Sequence, residues 1–183
     1  RRIMDTNKNN YVWYVCYGSN MLRERFLCYI KGGRYREFNR PLTPCSDTSE
    51  PLQCMPYILP YDMYYAKHSG SWKNSAVSFL DVTKPGQAYG VAYLITKEQF
   101  DHVCRQENGG NKPEDASWYN AVAKLGTWDG IPVETLTNSR RLEEAAPGKE
   151  YLEVLTDGIL ENYKYLRRSE AIDYTEKFCM RTR

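Results

Sequence analysis

Histidine is nearly missing from this sequence: His68 and His102 are the 2 that its 183 residues contain. With no C-x-x-C and no H-E-x-x-H either, a metal centre or a Cys-His nucleophile has few parts to draw on, and neither a metal nor a cofactor is expected. Long apolar runs are missing too. No stretch approaches the roughly 20 apolar residues of a membrane-spanning helix. The opening R-R-I-M-D-T-N-K-N-N is polar where a signal peptide has its apolar segment. Met4 reads as the candidate native start, behind Arg1 to Ile3, and the expected location is the cytoplasm. There is no basic run and no arginine-aromatic repeat. The 25 basic and 23 acidic residues are spread along the chain and leave a formal net charge of +2, so neither nucleic acid nor a membrane is an expected partner. Without a secretory signal, Cys16, Cys28, Cys45, Cys54, Cys104 and Cys179 are expected as reduced thiols.

Aromatics are abundant. The 16 Tyr, 4 Trp and 5 Phe supply large amphipathic surfaces that line a pocket as readily as they fill a core. The length suits one domain with a full hydrophobic core.

Tyr11 to Cys16 is a β-branched and aromatic run that predicts a first strand, buried on both faces if it is central to a sheet. A helix is expected over Met21 to Ile30, stopped by Gly32-Gly33. From Arg34 to Pro60, Pro41, Pro44, Pro51 and Pro56 interrupt any periodicity, which predicts a long surface loop and a candidate lid. Strands are expected at Pro56 to Ala66, Ala76 to Val82 and Gln87 to Ile95, the last two joined by a tight T-K-P-G turn. Thr96 and Gln99 form a capping-box pattern ahead of a helix running to about Gln106. Strands at Trp118 to Leu125 and Ile131 to Thr137 flank a T-W-D-G turn, and helices over Lys149 to Tyr165 and Ser169 to Phe178 close the chain. This order predicts an α+β fold with a mixed, barrel-like sheet and flanking helices, as one domain over residues 11–178 behind a polar tail at 1–10.

Two places draw attention for chemistry. Tyr17-Gly18-Ser19-Asn20 joins a strand to a helix. The plain reading is a turn in which Gly18 relieves backbone strain and Ser19 or Asn20 caps the helix. The functional reading is a cluster of N–H donors for a carboxylate or a developing oxyanion, which needs a catalytic partner elsewhere. Glu107, at the end of the helix that begins at the capping box, is the candidate partner. A glutamate there is ordinarily a solvated charge, but one held away from cations and against aromatic rings has the raised pKa a general base needs. Cys16 reads as a small buried hydrophobe sooner than a nucleophile. His68 and His102 read as loop and helix residues, and Glu98 and Asp101 as solvated helix charges. Arg23 and Arg25 read as helix-surface cations, Arg25 with a second option of securing the loop.

Taken together, Y-G-S-N-M-L-R-E-R-F after a first strand, P-G-x-x-x-G-V-A-Y downstream and then Gln106-Glu107 resemble the gamma-glutamylcyclotransferase-like family, which includes gamma-glutamylamine cyclotransferases. The likeness covers residues 14–30, 76–125 and 147–165 and leaves 31–60 unaccounted for. It implies a small-molecule gamma-glutamyl substrate whose α-amine attacks its own γ-carbonyl, releasing 5-oxoproline and a free amino acid or amine. It also implies Glu107 as general acid/base, no metal and no cofactor. Substrate contacts are implied for Tyr14, Val15, Cys16, Tyr17, Gly18, Ser19, Asn20, Tyr119 and Tyr151. Relatives often carry a second site tyrosine where P-V-E-T-L-T places Thr135, which bears on substrate identity. Two alternatives stay open: a biosynthetic enzyme that removes a gamma-glutamyl protecting group, and a non-catalytic binding module of the same fold. Also open is whether a second copy completes the pocket, as a homodimer would.

Overall fold

The strand at Tyr11–Cys16 (β1) is buried at every position but the first, because it has neighbours on both sides. In this computed structural model, which describes residues 7–179, β1 pairs antiparallel with β3 (Ser75–Thr96) and parallel with β5 (Ile131–Thr137). The strand β2 (Cys54–Ser69) and the strand β4 (Ala121–Trp128) complete a 5-stranded sheet of order β2-β3-β1-β5-β4. The sheet is mixed, as expected, and it is not closed: β2 and β4 are its two edges. Among the described residues four helices flank it, α1 (Arg23–Lys31), α2 (Lys97–Glu107), α3 (Lys149–Asn162) and α4 (Arg168–Lys177). Aromatic side chains fill much of the core, with Phe26 stacked on Tyr93 at 4.2 Å between centroids and Trp13 on Trp128 at 4.9 Å.

Several local expectations hold. The Thr96/Gln99 capping box forms in both directions and starts α2. Gly32, at φ 82, ends α1 in a conformation that other residues resist. Asp129 and Gly130, at φ 53 and 74, make the left-handed pair that a two-residue hairpin between β4 and β5 requires.

T-K-P-G is not a turn. β3 runs unbroken through it, because β2 lies alongside and its pairing passes from Tyr61 opposite Pro85 to Asp62 opposite Asp81, leaving residues 82–84 as a bulge. Gly86 is there for room: a Cβ would sit 2.8 Å from the Asp62 backbone. The real reversal is at Gly70–Trp72, followed by left-handed Lys73 and Asn74. Two start points also shift. Met21 belongs to a 3-10 turn, Ser19–Met21, so α1 begins at Arg23. Residues 118–120 lie outside β4 because side chains take their backbone groups. The Asn108 amide bonds both the N–H and the C=O of Tyr119 at 2.8 and 3.0 Å, and Asn138 donates to the Trp118 carbonyl at 2.9 Å.

The proline-rich segment is shorter than expected, since β2 already starts at Cys54, and it is laid against the core. Gly33 and Leu42 exchange backbone hydrogen bonds, the Cys45 N–H reaches the Ile30 carbonyl at 2.9 Å, and Leu42 and Cys45 are buried. Of the polar tail, residues 1–6, including the candidate start at Met4, lie outside the described residues; Lys8–Asn10 form a 3-10 turn capped by Asn7. No helix among the described residues is long and apolar enough to cross a membrane.

Candidate active site

β3 ends beside the start of β1, with Thr96 opposite Tyr11. From there α2 returns along the sheet. Its 11 residues cover about 16 Å at the helical rise, close to the ~20 Å of a 6-residue β1. The return brings Glu107 back to the C-terminal end of β1, where Tyr17-Gly18-Ser19-Asn20 leaves the sheet. There the Asn20 side-chain amide donates to Glu107 Oε1 at 2.9 Å and lies 3.2 Å from the Tyr14 hydroxyl.

Neither Ser19 nor Asn20 caps α1, whose N-cap is Leu22 with no side-chain bond. Gly18 is not relieving strain either, because its φ of −118 is open to any residue. It makes space: a Cβ at Gly18 would meet the Tyr151 hydroxyl at 2.8 Å and Ser78 Cβ at 3.4 Å. The Tyr151 hydroxyl is fixed in turn, accepting the Ser78 N–H at 3.0 Å and lying 3.1 Å from Ser78 Oγ. Tyr119 donates to the Ser78 carbonyl at 2.8 Å and stacks on Phe79, and the Tyr17 hydroxyl donates to the Leu136 carbonyl. Thr135, in place of a second tyrosine, donates from Oγ1 to the Val15 carbonyl at 2.6 Å.

All ten residues singled out from the sequence, Tyr14, Val15, Cys16, Tyr17, Gly18, Ser19, Asn20, Glu107, Tyr119 and Tyr151, line one cavity of about 910 Å³, together with Thr135. Within it the Glu107 carboxyl is pushed up from its ordinary value by burial, which outweighs the opposing pull of the Arg25 charge and of hydrogen bonds from Tyr29 and Asn20. The raised pKa was expected from isolation. Instead a cation is close by, and desolvation prevails over it. Burial pushes the Cys16 thiol well up as well, and its Sγ lies 3.5 Å from the Val91 carbonyl, the reverse of an activated nucleophile. His102 Nε2 bonds the Thr43 carbonyl at 2.7 Å, His68 Nδ1 lies 3.3 Å from the Asn74 carbonyl, and neither lines the cavity. No group of three or more His, Cys, Asp or Glu among the described residues is placed to hold a metal ion.

Arg25 is not a helix-surface cation. It is 4% exposed, lines the cavity, and lies over the rings of Tyr29 and Trp72 at 5.0 and 5.5 Å. Its Nη2 donates to the Tyr29 hydroxyl at 3.3 Å, while Nε and Nη1 have no partner. The sequence reading takes Arg25 for a helix-surface cation, with securing the loop as its second option, and does not single out Tyr29, Trp72 or Ser78. One signal was available. Leu22, Arg25, Phe26, Tyr29 and Ile30 follow the i, i+3, i+4, i+7, i+8 spacing of a core-facing stripe, so Arg25 holds a position that should be apolar.

No family model matches the chain. In sequence it is 30% identical over 204 aligned residues to histone deacetylase 5 of Arabidopsis thaliana, an alignment that takes in 91% of this chain and 30% of that protein. The chain therefore spans 30% of the length of the curated relative it matches. Among solved structures it is similar to a gamma-glutamyl cyclotransferase, at TM-score 0.59 and 18% identity over 92% of this chain and 86% of that one. An uncharacterized protein from Homo sapiens gives TM-score 0.60 and 18% identity over the same shares. YkqA from Bacillus subtilis gives TM-score 0.56 and 16% identity over 98% of this chain and 57% of that one.

Proposed function

We propose, on the premise that the chain has the gamma-glutamylcyclotransferase-like fold, that it is a gamma-glutamyl cyclotransferase acting through Glu107. The observation that carries this reading is the raised-pKa carboxyl of Glu107 held by Asn20 of the Gly18 loop, inside the cavity those residues share. In this reaction the substrate's α-amine bonds to its own γ-carbon, the carbonyl electrons move onto oxygen, and the tetrahedral centre then collapses with loss of the amine nitrogen. A five-membered ring supplies proximity, so no protein nucleophile is needed. Glu107 takes a proton from the α-ammonium and returns it to the departing nitrogen. An α-amine titrates near ~8 and an ordinary glutamate near ~4.3, and burial of Glu107 narrows that gap. The amides of the Tyr17 to Ser19 segment would face the oxyanion, where losing one donor costs on the order of 100-fold in rate.

The thiols of Cys16, Cys28, Cys45, Cys54 and Cys104 are free, which suits a reducing, cytoplasmic setting. The test is incubation with a panel of gamma-glutamyl amino acids and gamma-glutamylamines, following 5-oxoproline by mass spectrometry. Its release supports cyclotransfer, and the preferred member identifies the leaving amine. Silence across the panel contradicts it.

A second reading takes the fold as a binding module, because the likeness to histone deacetylase 5 covers a 30% share of a protein named for other chemistry. Under that reading Glu107 is only a hydrogen-bond acceptor, a gamma-glutamyl ligand binds, and no 5-oxoproline appears.

A further inference from the structure

Two side chains in the cavity wall are left short of partners, and their needs are opposite. Arg25 is a buried cation with two nitrogens, Nε and Nη1, that lack an acceptor. Asn20, 3% exposed, gives its amide N–H groups to Glu107 and Tyr14, and its Oδ1 is left without a donor. Buried polar atoms ordinarily find partners, since leaving one unmet forfeits its hydration and leaving a charge unmet costs more. A cavity whose wall keeps both an unmet donor group and an unmet acceptor is complementary to a ligand carrying both a negative and a positive head.

Both residues line the same cavity. Arg25 Nη2 reaches Tyr29, Tyr29 interacts with Glu107, and Glu107 accepts from Asn20. We propose that Arg25 and Asn20 recognise the α-amino acid head of the substrate, the Arg25 guanidinium taking the α-carboxylate while Asn20 Oδ1 accepts an N–H of the α-ammonium that faces Glu107. A carboxylate matches the planar donor fork of arginine, which is more weakly hydrated than a lysine ammonium and therefore better suited to a buried position. The α-carboxylate and α-ammonium sit on one carbon, so fixing both also fixes the amine that must attack. The backbone amides of the Gly18 loop are then free for the γ-carbonyl oxygen, and the two ends of the glutamyl group are held by different parts of the site.

This inference rests on the cyclotransferase reading of the same cavity, but binding alone tests it. By titration calorimetry the native protein is expected to bind L-glutamine about tenfold to a hundredfold more tightly than L-glutaminamide, which differs only in having a carboxamide for the α-carboxylate. Glutaramate, which lacks the ammonium, should be weakened similarly. In Arg25→Gln the preference for L-glutamine over L-glutaminamide should vanish, and Arg25→Lys should recover part of it. Equal binding of L-glutamine and L-glutaminamide by the native protein, no binding of L-glutamine, or an undiminished preference in Arg25→Gln overturns the proposal. The native-protein comparison needs no variant to fold. A protein that shows the preference and yields no 5-oxoproline would sink the cyclotransferase reading and leave this one standing.

Discussion

The Asn20 amide lies 2.9 Å from the Glu107 carboxylate, across 87 positions of sequence. That single bond joins the loop after β1 to the last residue of α2, and each reaches it for a separate reason. Asn20 is delivered by the 3-10 turn at Ser19–Met21, and Glu107 by the length of a helix started at a capping box. Much of the expected chemistry depends on that meeting.

Glu107→Gln keeps an oxygen that can accept from Asn20 and removes the ionisable proton. 5-Oxoproline release should fall by about 10²–10⁴-fold, the usual worth of general acid/base catalysis, with the melting temperature held or raised. Turnover within tenfold of native would rule out Glu107 as the proton carrier.

The pH dependence has a defined sign. Burial raises the Glu107 carboxyl pKa in the folded state, so the folded protein holds this proton more tightly than the unfolded chain. The stability it contributes is full below the ordinary glutamate value of ~4.3 and is lost as pH rises through the raised value. Denaturant melts across that window should show native stability declining more than that of Glu107→Gln. Activity should run the opposite way, falling as pH drops through the same raised value, because the protonated acid is no base. An acid limb at the ordinary glutamate value would contradict this.

Gly18→Ala drives a methyl to within 2.8 Å of the Tyr151 hydroxyl. The expected cost is about 1–3 kcal/mol, typical of overpacking. Tyr151→Phe removes the obstructing oxygen, so in urea melts the double variant should be less destabilised than the sum of the singles. Additive effects would mean that the close approach is not what requires glycine.

Arg25→Met keeps the stem against Trp72 and removes an incompletely satisfied buried charge. Ligand-free stability should be unchanged or higher by up to about 1–4 kcal/mol, the range seen when buried ionic groups give way to apolar ones. A loss of 2 kcal/mol or more, on the scale of a broken buried network, would show Arg25 to be structural.

What could be read from the sequence was what is local. The run Tyr11 to Cys16 is apolar on both faces whatever surrounds it, Thr96 and Gln99 cap each other within one turn, and Asp129-Gly130 specifies its own reversal. The Gly18 loop stands out as a strand-to-helix junction and Glu107 as a carboxylate at a helix end, but only the resemblance ties the two to one reaction, since nothing at either position alone separates a functional group from a surface one. The misses needed a partner the sequence could not place. Pro85-Gly86 has turn chemistry, but β2 running past it makes a bulge the better solution. Trp118 to Asn120 has strand composition, yet Asn108 and Asn138 occupy backbone groups there. Arg25 was weighed by its charge when its place in the α1 stripe was the better guide.

The central claim, attack by the substrate's own amine without added water, is tested most directly by running the reaction in ¹⁸O-labelled water with the preferred gamma-glutamyl substrate. The account predicts unlabelled 5-oxoproline, released one for one with the free amine. Glutamate carrying ¹⁸O in its γ-carboxylate would contradict it, because water would then be the nucleophile and the cavity would belong to a hydrolase.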